Sequence, residues 1–260
     1  MTPGAVESRS NNHINLQTLA CGRDKTLAMA GNVNLTQSLV QRLGSAIVRG
    51  EYQAGKSLPI EAELGKKFGA SRTVMREAVK ILSTKGLIGQ RPRVGTFVHP
   101  EEKWDLLDAE VLTWILDKQF SQHLVREFLE VRLGVEPAAA ALAATNATEA
   151  DKQLLKEKLE KMRGAIKGHF DPVHADIQFH ATILEISHNR FYHQLTPIVE
   201  TALRFSIRVT NKAKGALADY DAHEKVYRAI KNGNPEAAAR ACRALIQEAL
   251  ALVTGSRASA

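Results

Sequence analysis

Cysteine is scarce in this chain, and its scarcity excludes two kinds of structural site. The 260 residues contain two cysteines, Cys21 and Cys242, which lie far apart in the sequence. A disulfide framework needs several paired cysteines, and a cysteine-rich zinc site needs closely spaced ones. We therefore expect neither, and we expect the protein to reside in a reducing cytoplasm.

Long apolar runs are also missing. No stretch approaches the roughly 20 apolar residues that span a bilayer, and the first residues lack a cationic start followed by an apolar core. The sequence therefore predicts neither a membrane protein nor a secreted one. A chain of 260 residues is long for one compact domain and favours two.

Positive charge is abundant but confined to one segment. The chain carries a net charge of +7. Residues 35–98 hold eleven Lys and Arg against four acids, whereas residues 99–260 hold 21 against 22. Nucleic-acid phosphates attract such a basic segment, although a solvated basic face has the same composition. The motif within the segment has to decide between the two interpretations.

Three helices are predicted in this basic segment. Apolar residues recur at helical spacing from Leu35, and Gly50 ends the run. Pro59 opens a second helix. Ser71 is a good N-cap for a third helix because its hydroxyl can accept a backbone N–H of the first turn, and Gly86 ends that helix.

A short hairpin follows over 87–90 and 94–98, with two arginines at its turn. This is the layout of a winged helix-turn-helix, in which the third helix enters the major groove of duplex DNA and the wing touches the backbone or the minor groove. Arg72 and Arg76 are predicted to read bases, since arginine can grip guanine O6 and N7 in a bidentate fork. The complete predicted DNA-binding set is Ser71, Arg72, Thr73, Arg76, Lys80, Arg91, Arg93 and Gly95.

The rest of the chain shows no strand alternation and predicts a mainly α fold. The helices are expected over 107–118, 121–145, 149–168, 171–187, 189–211, 217–232 and 234–253, which form an all-α bundle of six or seven helices. The predicted organisation is a mobile arm over 1–33, a winged helix-turn-helix DNA-binding domain over 34–98, a linker over 99–106, an all-helical effector-binding and dimerisation domain over 107–253, and a tail over 254–260.

Two sets of residues together match a known family over about residues 35–253. The first set is Leu58-Pro59, Glu61, Glu63-Leu64, Phe68, Ser71-Arg72, Arg76-Glu77-Ala78, Leu82, Gly86-Leu87-Ile88 and Gly95-Thr96-Phe97-Val98. It resembles the N-terminal domain of GntR-type bacterial transcription regulators. The second set is Glu130-Val131-Arg132 with Glu136-Pro137, Asp176 with Phe179-His180, His223-Glu224 with Ala229-Ile230, and Gly233-Asn234-Pro235 with Ala238. It resembles the effector domain (FCD domain) of the FadR subgroup.

A finer resemblance concerns the stretch around Trp104, Leu107-Asp108 and Val111-Leu112 with Trp114, which is similar to the galactonate-responsive repressors of sugar-acid catabolism. Two residues differ from the pattern of many relatives. This chain has Ala62 on the second helix where they carry an arginine, and Ile60 where they carry a serine. We therefore expect one familiar DNA contact to be missing and the operator to differ from the commonest consensus.

A metal site is suggested by Asp176 and His180, which lie four residues apart and so share one helix face. A carboxylate oxygen and an imidazole nitrogen at that spacing can bind one divalent ion, and His223 would be the third ligand. In the family the metal set resembles Asp plus three His, and the last His position reads Leu245 here. The resemblance thus implies three protein ligands, with zinc the most plausible ion and open positions for water or effector oxygens. The alternative is that His180 and His223 only form hydrogen bonds in a polar core pocket.

Arg132 is the predicted anchor for an acidic effector, because a buried guanidinium fork matches two carboxylate oxygens. The alternative is an internal Arg–Glu pair that holds helices together. Arg204, Arg208 and Asn211 share a helix face and could add donors to a hydroxylated acid. The predicted effector-binding set is Arg132, Asp176, His180, His223, Arg208 and Asn211.

The leading hypothesis is a homodimeric transcription regulator and not an enzyme. It reads a palindromic operator on double-stranded DNA, and an acid effector such as an aldonate releases it. A regulator that senses a dicarboxylate, a 2-hydroxy acid or an acyl thioester is the alternative. A DNA-tethered metal-dependent hydrolase is a remote one, because no nucleophile motif or obvious general base accompanies the triad. A ligand-independent architectural protein would leave the polar residues of the second domain without a purpose.

Overall fold

The computed structural model describes residues 35–93, 95–118, 121–214 and 219–255, apart from the side chains of residues 208, 209 and 211–214. The arm predicted over 1–33 and the end of the predicted tail lie outside the described residues.

Within these ranges the chain forms eleven helices, a one-turn 3-10 helix and one two-stranded sheet. The elements are α1 (35–48), α2 (Glu61–Phe68), α3 (Arg72–Thr84), β1 (Ile88–Arg91), β2 (Gly95–Val98), the 3-10 turn Glu101–Lys103, α4 (Ala109–Lys118), α5 (Gln122–Asn146), α6 (Glu149–Ile166), α7 (Pro172–Ile186), α8 (Arg190–Gln194), α9 (Thr196–Lys214), α10 (Tyr220–Lys231) and α11 (Pro235–Thr254).

The N-terminal unit, α1 to α3 with β1 and β2, is a winged helix-turn-helix, as the sequence predicts. Gly69 ends α2 in the left-handed conformation at φ 67°, which glycine adopts without steric cost. Two residues later Ser71 caps α3 by accepting a hydrogen bond from the Val74 amide at 3.3 Å. The two strands pair antiparallel, with Ile88 opposite Val98. Leu43, Met75 and Leu82 lie in one apolar core, so that the polar face of α3 remains outside.

Helix α4 joins the two halves of the molecule, because its apolar residues enter two different cores. Val111 and Trp114 pack into the core of the N-terminal unit, whereas Leu112 and Leu116 pack into the core of the C-terminal bundle, defined here as α5 to α11. The segment predicted as a linker is also anchored, since Trp104 is 8% exposed and its indole nitrogen donates to the His99 carbonyl at 3.2 Å. The domain boundaries given by the sequence stay predictions.

Polar contacts fix α4 against the N-terminal unit. The Lys85 ammonium lies 2.6 Å from Asp108 and 2.7 Å from Glu110. The Trp114 indole donates to the Gln41 side chain at 2.8 Å and covers Gly44, where an added Cβ would lie 2.4 Å from the ring. A side chain at position 44 would therefore displace the indole.

The C-terminal bundle contains a buried apolar core around α5, α7 and α11, including Leu129, Phe179 and Ile246. One predicted helix differs from the structure. The sequence predicts a continuous helix over 189–211, whereas the structure ends α8 at Gln194 and begins α9 at Thr196. The described residues after the 3-10 turn therefore form eight helices, of which α8 has only five residues. No helix in the described part of the chain is long and apolar enough to cross a membrane.

Candidate DNA-reading surface and effector pocket

The exposed face of α3 brings together most of the predicted DNA-reading side chains. Arg72, Thr73, Arg76 and Lys80 line one concave surface. Among the other residues on its lining are Glu61 and Ala62 of α2, Glu77 of α3 and Gln90 of β1. In the part of the chain that the structure describes, the three cations of this surface take part in no salt bridge. Their charge is therefore available to an anionic partner, and the groove of a duplex is the partner that a protruding helix fits.

The wing places its arginines differently. The Arg91 guanidinium lies over the Phe97 ring at 4.3 Å from the centroid, which restrains its direction. Arg93 has a φ of 63° at the turn, and Gly95, at φ 86°, begins the returning strand. Neither Arg91 nor Arg93 lines the concave surface of α3, so that they extend the basic face beyond it. Ser71 serves α3 as its N-cap.

The two departures from the family pattern lie at the start of α2. Ile60 occupies the N-cap position without a side-chain hydrogen bond to the helix and is 66% exposed. Ala62 is part of the concave surface but carries no group that could donate to a base or phosphate. An arginine at position 62 would face the DNA-reading surface, which agrees with the expectation that one contact is missing here.

A pocket in the C-terminal bundle brings together four of the predicted effector residues. The empty space amounts to about 500 Å³, counting the solvent at its mouth. Arg132 of α5, Asp176 and His180 of α7, and His223 of α10 form its buried end, since each is at most 5% exposed. Sequence positions as far apart as 132 and 223 meet there because α5, α7 and α10 pack around one core.

Arg132 is held by an acidic residue one turn away. Its Nε and Nη2 donate to the two carboxylate oxygens of Glu136. The internal Arg–Glu pair that was the alternative interpretation is therefore present, although Arg132 also lines the pocket. Burial alone would raise the pKa of the Glu136 carboxyl, but the positive charges of Arg132 and His180 beside it lower that pKa to about 2. Glu136 is consequently ionised.

The two histidines are oriented in the same way. The Nδ1 of His180 lies 2.7 Å from the Glu136 carboxylate, and the Nδ1 of His223 lies 2.6 Å from the Asp219 carbonyl oxygen. Each Nε2 lies 3.3 Å from Oδ1 of Asp176. A carbonyl oxygen can only accept, so His223 carries its proton on Nδ1 and, when neutral, directs the lone pair of Nε2 at Asp176.

Two buried atoms of this cluster lack hydrogen-bond partners among the described residues. They are Oδ1 of Asp176 and Nε2 of His223. Buried polar atoms are normally satisfied, and a lone pair facing a carboxylate is repelled unless a cation lies between them. The potential ligand atoms of Asp176, His180 and His223 all lie within 4.8 Å of one another. The three side chains therefore fit a divalent ion.

Charge within the pocket is unusual for an anion site. Burial would raise the pKa of Asp176, but the neighbouring imidazoles of His180 and His223 lower that pKa far below its usual value. Burial would lower the pKa of His180, but the charge of Glu136 raises it on balance. An ionised Asp176 beside the two imidazoles is an arrangement that suits a cation. Asp219 and Glu248 also lie on the lining.

The remaining predicted effector residues contribute less. Arg204 is exposed and lies off the lining face of α9. The side chains of Arg208 and Asn211 lie outside the described residues. Leu245, where the family resemblance implies a further histidine, does line the pocket.

Sequence reasoning missed several lining residues on α9, α10 and α11. No motif marks them, although their helical spacing, for example 245, 248, 249 and 252, would have indicated a shared face once one member was assigned to the pocket. The missed residues are Leu203, Ser206, Ile207, Thr210, Asp219, Glu248, Ala249 and Leu252.

Comparison with known proteins assigns both halves of the chain to known domain families. Residues 35–98 match the model of "Bacterial regulatory proteins, gntR family", and residues 127–248 match the FCD domain. The HTH-type transcriptional regulator YieP of Escherichia coli is 35% identical over 222 residues, which cover 84% of this chain and 95% of YieP. The chain belongs to the gntR family of bacterial regulatory proteins. It is therefore a DNA-binding transcription regulator of the subgroup with an FCD effector domain.

Two further comparisons refine this assignment. The galactonate operon transcriptional repressor of E. coli is 33% identical over 216 residues, covering 82% of this chain and 94% of the repressor. The solved structure of Lar, which controls the expression of the agr system in Listeria monocytogenes, shares the fold at a TM-score of 0.54 and 17% identity, covering 85% of this chain and 96% of Lar. Proteins of this family regulate transcription and are not enzymes, so the hydrolase hypothesis is set aside.

Proposed function

We propose that this regulator is a repressor of a sugar-acid catabolic operon. As a homodimer it reads a palindromic operator with the α3 surface, chiefly through Arg72 and Arg76. An aldonate bound in the pocket of the C-terminal bundle releases it from that operator. The observation that carries the proposal is the cluster of Asp176, His180 and His223, whose unpartnered buried atoms adjoin Arg132.

A divalent ion, zinc by preference, would be held by Asp176, His180 and His223. Both histidines have the second contact on Nδ1 that is typical of metal-ligating histidines, and Asp176 would supply the anionic ligand. A bound ion would offer its open coordination positions to oxygens of the effector. Arg132, which lines the pocket, would bind the carboxylate of the effector, while Glu136 and Asp219 hold the histidine rings in position.

A polyhydroxylated acid suits the pocket in its chemistry. Ser206, Thr210 and the carboxylates of the lining can exchange hydrogen bonds with hydroxyl groups. The galactonate operon repressor, at 33% identity, supports an aldonate over an acyl thioester, which would need an apolar tunnel.

Release of DNA follows from linkage. An effector weakens operator binding only if it prefers an arrangement that binds DNA poorly. Helix α4 contacts both the N-terminal unit and α9 of the bundle, and α9 lines the pocket. Helix α4 thus connects the N-terminal unit, which carries the DNA-reading surface, with the C-terminal bundle, which carries the effector pocket.

A thermal-shift screen of the purified chain against sugar acids tests the proposal. With zinc in the buffer, an aldonate at 100 times its Kd should stabilise the protein by about 2.7 kcal/mol, a rise in Tm of roughly 5–10 °C. The same aldonate should displace the protein from duplexes that the wild type selects from a random-sequence library. Asp176→Asn should lose the stabilisation, whereas Glu185→Gln, an exposed acid on the same helix, should keep it.

Repeating the screen with a chelator tests the metal site separately from the effector class. Stabilisation by an aldonate that disappears with the chelator supports both the metal site and the sugar-acid effector. Stabilisation that survives thorough chelation overturns the metal site and leaves His180 and His223 as direct hydrogen-bonding groups. If no sugar acid stabilises the protein, the effector class is wrong.

A further inference from the structure

We propose that Ala62 of α2 reads the methyl group of a thymine in the operator and thereby determines the base pair that is preferred at one position of each half-site. This inference rests on the operator-reading part of the proposed function and does not depend on the effector.

Ala62 lies on the DNA-reading surface itself. It lines the concave surface together with the cations of α3 and is exposed. Val79 is the other wholly apolar residue of that lining, but it is only 2% exposed. Thr73 and Thr84 also bring methyl groups to the lining, although each side chain carries a hydroxyl as well. Among the described residues of the lining, Ala62 is therefore the one that is both exposed and wholly apolar.

The place of Ala62 beside α3 is fixed by the tight turn between the two helices. The Ala70 amide donates to the Gly65 carbonyl at 2.9 Å. A Cβ added at Gly65 would lie 3.0 Å from the Ala70 carbonyl oxygen, so α2 packs closely against the turn that precedes α3. Ala62 is consequently held in a fixed position relative to Arg72 at the start of α3.

The charge at the start of α2 disfavours a phosphate next to Ala62. Residues 60–65 include no cation, and Glu61 and Glu63 flank Ala62 in the sequence. Carboxylates repel a phosphate, whereas a base edge is neutral. The composition of this helix start therefore favours a base over the DNA backbone as the group that contacts Ala62.

A methyl side chain discriminates between base edges by what it leaves unpaired. A hydrogen-bonding group of a base loses water against a methyl group and gains no partner, which is unfavourable. In the major groove the apolar group that a base presents is the C5 methyl of thymine. Contact between the two methyl groups buries both, so Ala62 should prefer thymine to guanine, whose O6 and N7 need donors.

Replacement of thymine by uracil tests the inference, because it removes the C5 methyl and leaves base pairing unchanged. The full chain first selects duplexes from a random-sequence library. Each thymine of one half-site is then replaced in turn, and the Kd is measured by gel shift. We expect the wild type to lose about threefold to fivefold in affinity at one thymine at least, the factor that corresponds to burial of one methyl group.

Two variants of Ala62 make the test specific. Ala62→Gly removes the protein's methyl group and should bind the thymine and uracil duplexes with a difference of less than about 1.5-fold at that position. Ala62→Arg should select a guanine there, because the guanidinium fork fits O6 and N7. Ala54→Arg is the matched control: it adds the same charge at an exposed turn outside the lining and should keep the preference for thymine.

Three results would overturn the role of Ala62 and leave base reading by α3 intact. They are a wild type that is insensitive to uracil at every position, a uracil effect that persists in Ala62→Gly, and unchanged selection of bases by Ala62→Arg. If the wild type selects no duplex from the library, the operator-reading part of the proposed function is wrong as well.

Discussion

The two recognition surfaces of this regulator solve opposite electrostatic problems. The DNA-reading surface gathers Arg72, Arg76 and Lys80 on one exposed helix. Glu61 and Glu77 line the same surface but form no salt bridge with these cations among the described residues. The effector pocket buries its charges, and Arg132 there is paired with Glu136. The regularly spaced phosphates of DNA are bound by exposed cations that remain solvated until the DNA binds. A single small acid has to be bound where water is excluded, and there each charge needs a partner.

This difference predicts that mutations in the two regions act on different properties. Charge removal in the pocket should cost folding stability, whereas charge removal on α3 should cost DNA affinity and leave folding intact. The two tryptophans of the chain, Trp104 and Trp114, both lie in the core of the N-terminal unit. Tryptophan fluorescence therefore follows unfolding of that unit, and far-UV circular dichroism mainly follows the larger helical bundle.

The largest effect is expected from Glu136→Ala. It leaves the buried guanidinium of Arg132 without its partner, which typically costs about 3–5 kcal/mol. Urea unfolding by circular dichroism should show this loss, and the fluorescence transition of the N-terminal unit should move much less. The double variant Arg132→Met with Glu136→Leu should recover most of the stability because no orphaned charge remains. Equal losses in the single and double variants would contradict the assignment of the cost to that charge.

Arg76→Ala should have a smaller effect, confined to DNA. The loss of one bidentate base contact costs about 1–3 kcal/mol of discrimination, so that specific binding falls toward the non-specific level. Gel-shift titration with a selected duplex measures this, and unfolding midpoints should not change. Lys225→Ala, which removes an exposed cation from α10, is the control with the same change of net charge. Wild-type operator affinity in Arg76→Ala would refute the reading role of this residue.

The smallest effect on stability and on DNA affinity is expected from a variant at the contact between α4 and the N-terminal unit. Lys85→Met removes a partly exposed ion pair with Asp108 and Glu110, which is worth about 1 kcal/mol or less. Operator affinity without effector should remain close to that of the wild type. The difference in operator affinity between the free and effector-bound protein should shrink, because α4 is held less firmly. An unchanged difference would show that the ion pair plays no part in coupling.

The sequence predicted the N-terminal unit well because its signals are local. Ser71 at the start of α3, Gly86 at its end and the regular spacing of Arg72, Arg76 and Lys80 lie within 16 residues of one another. Each acts through its own turn of helix, so that no knowledge of tertiary packing is needed.

The effector pocket was predicted only at its buried end. Asp176 and His180 share a helix turn, and the family resemblance added Arg132 and His223. Glu248 and Thr210 carry no local signal, since their place on the pocket lining depends on how α9 and α11 face each other. The break between α8 and α9 was missed although Pro197 occupies the first turn of α9, where proline is favoured.

The packing of Trp114 against Gly44 limits how helix α4 can move relative to α1. The indole fills the space that a side chain at position 44 would need and is tethered to Gln41, so α4 cannot slide along α1 without expelling it. Its opposite face packs into the core of the bundle through Leu112 and Leu116. Helix α4 is therefore fixed to α1, so that a rearrangement of the bundle that moves α4 has to move the N-terminal unit with it.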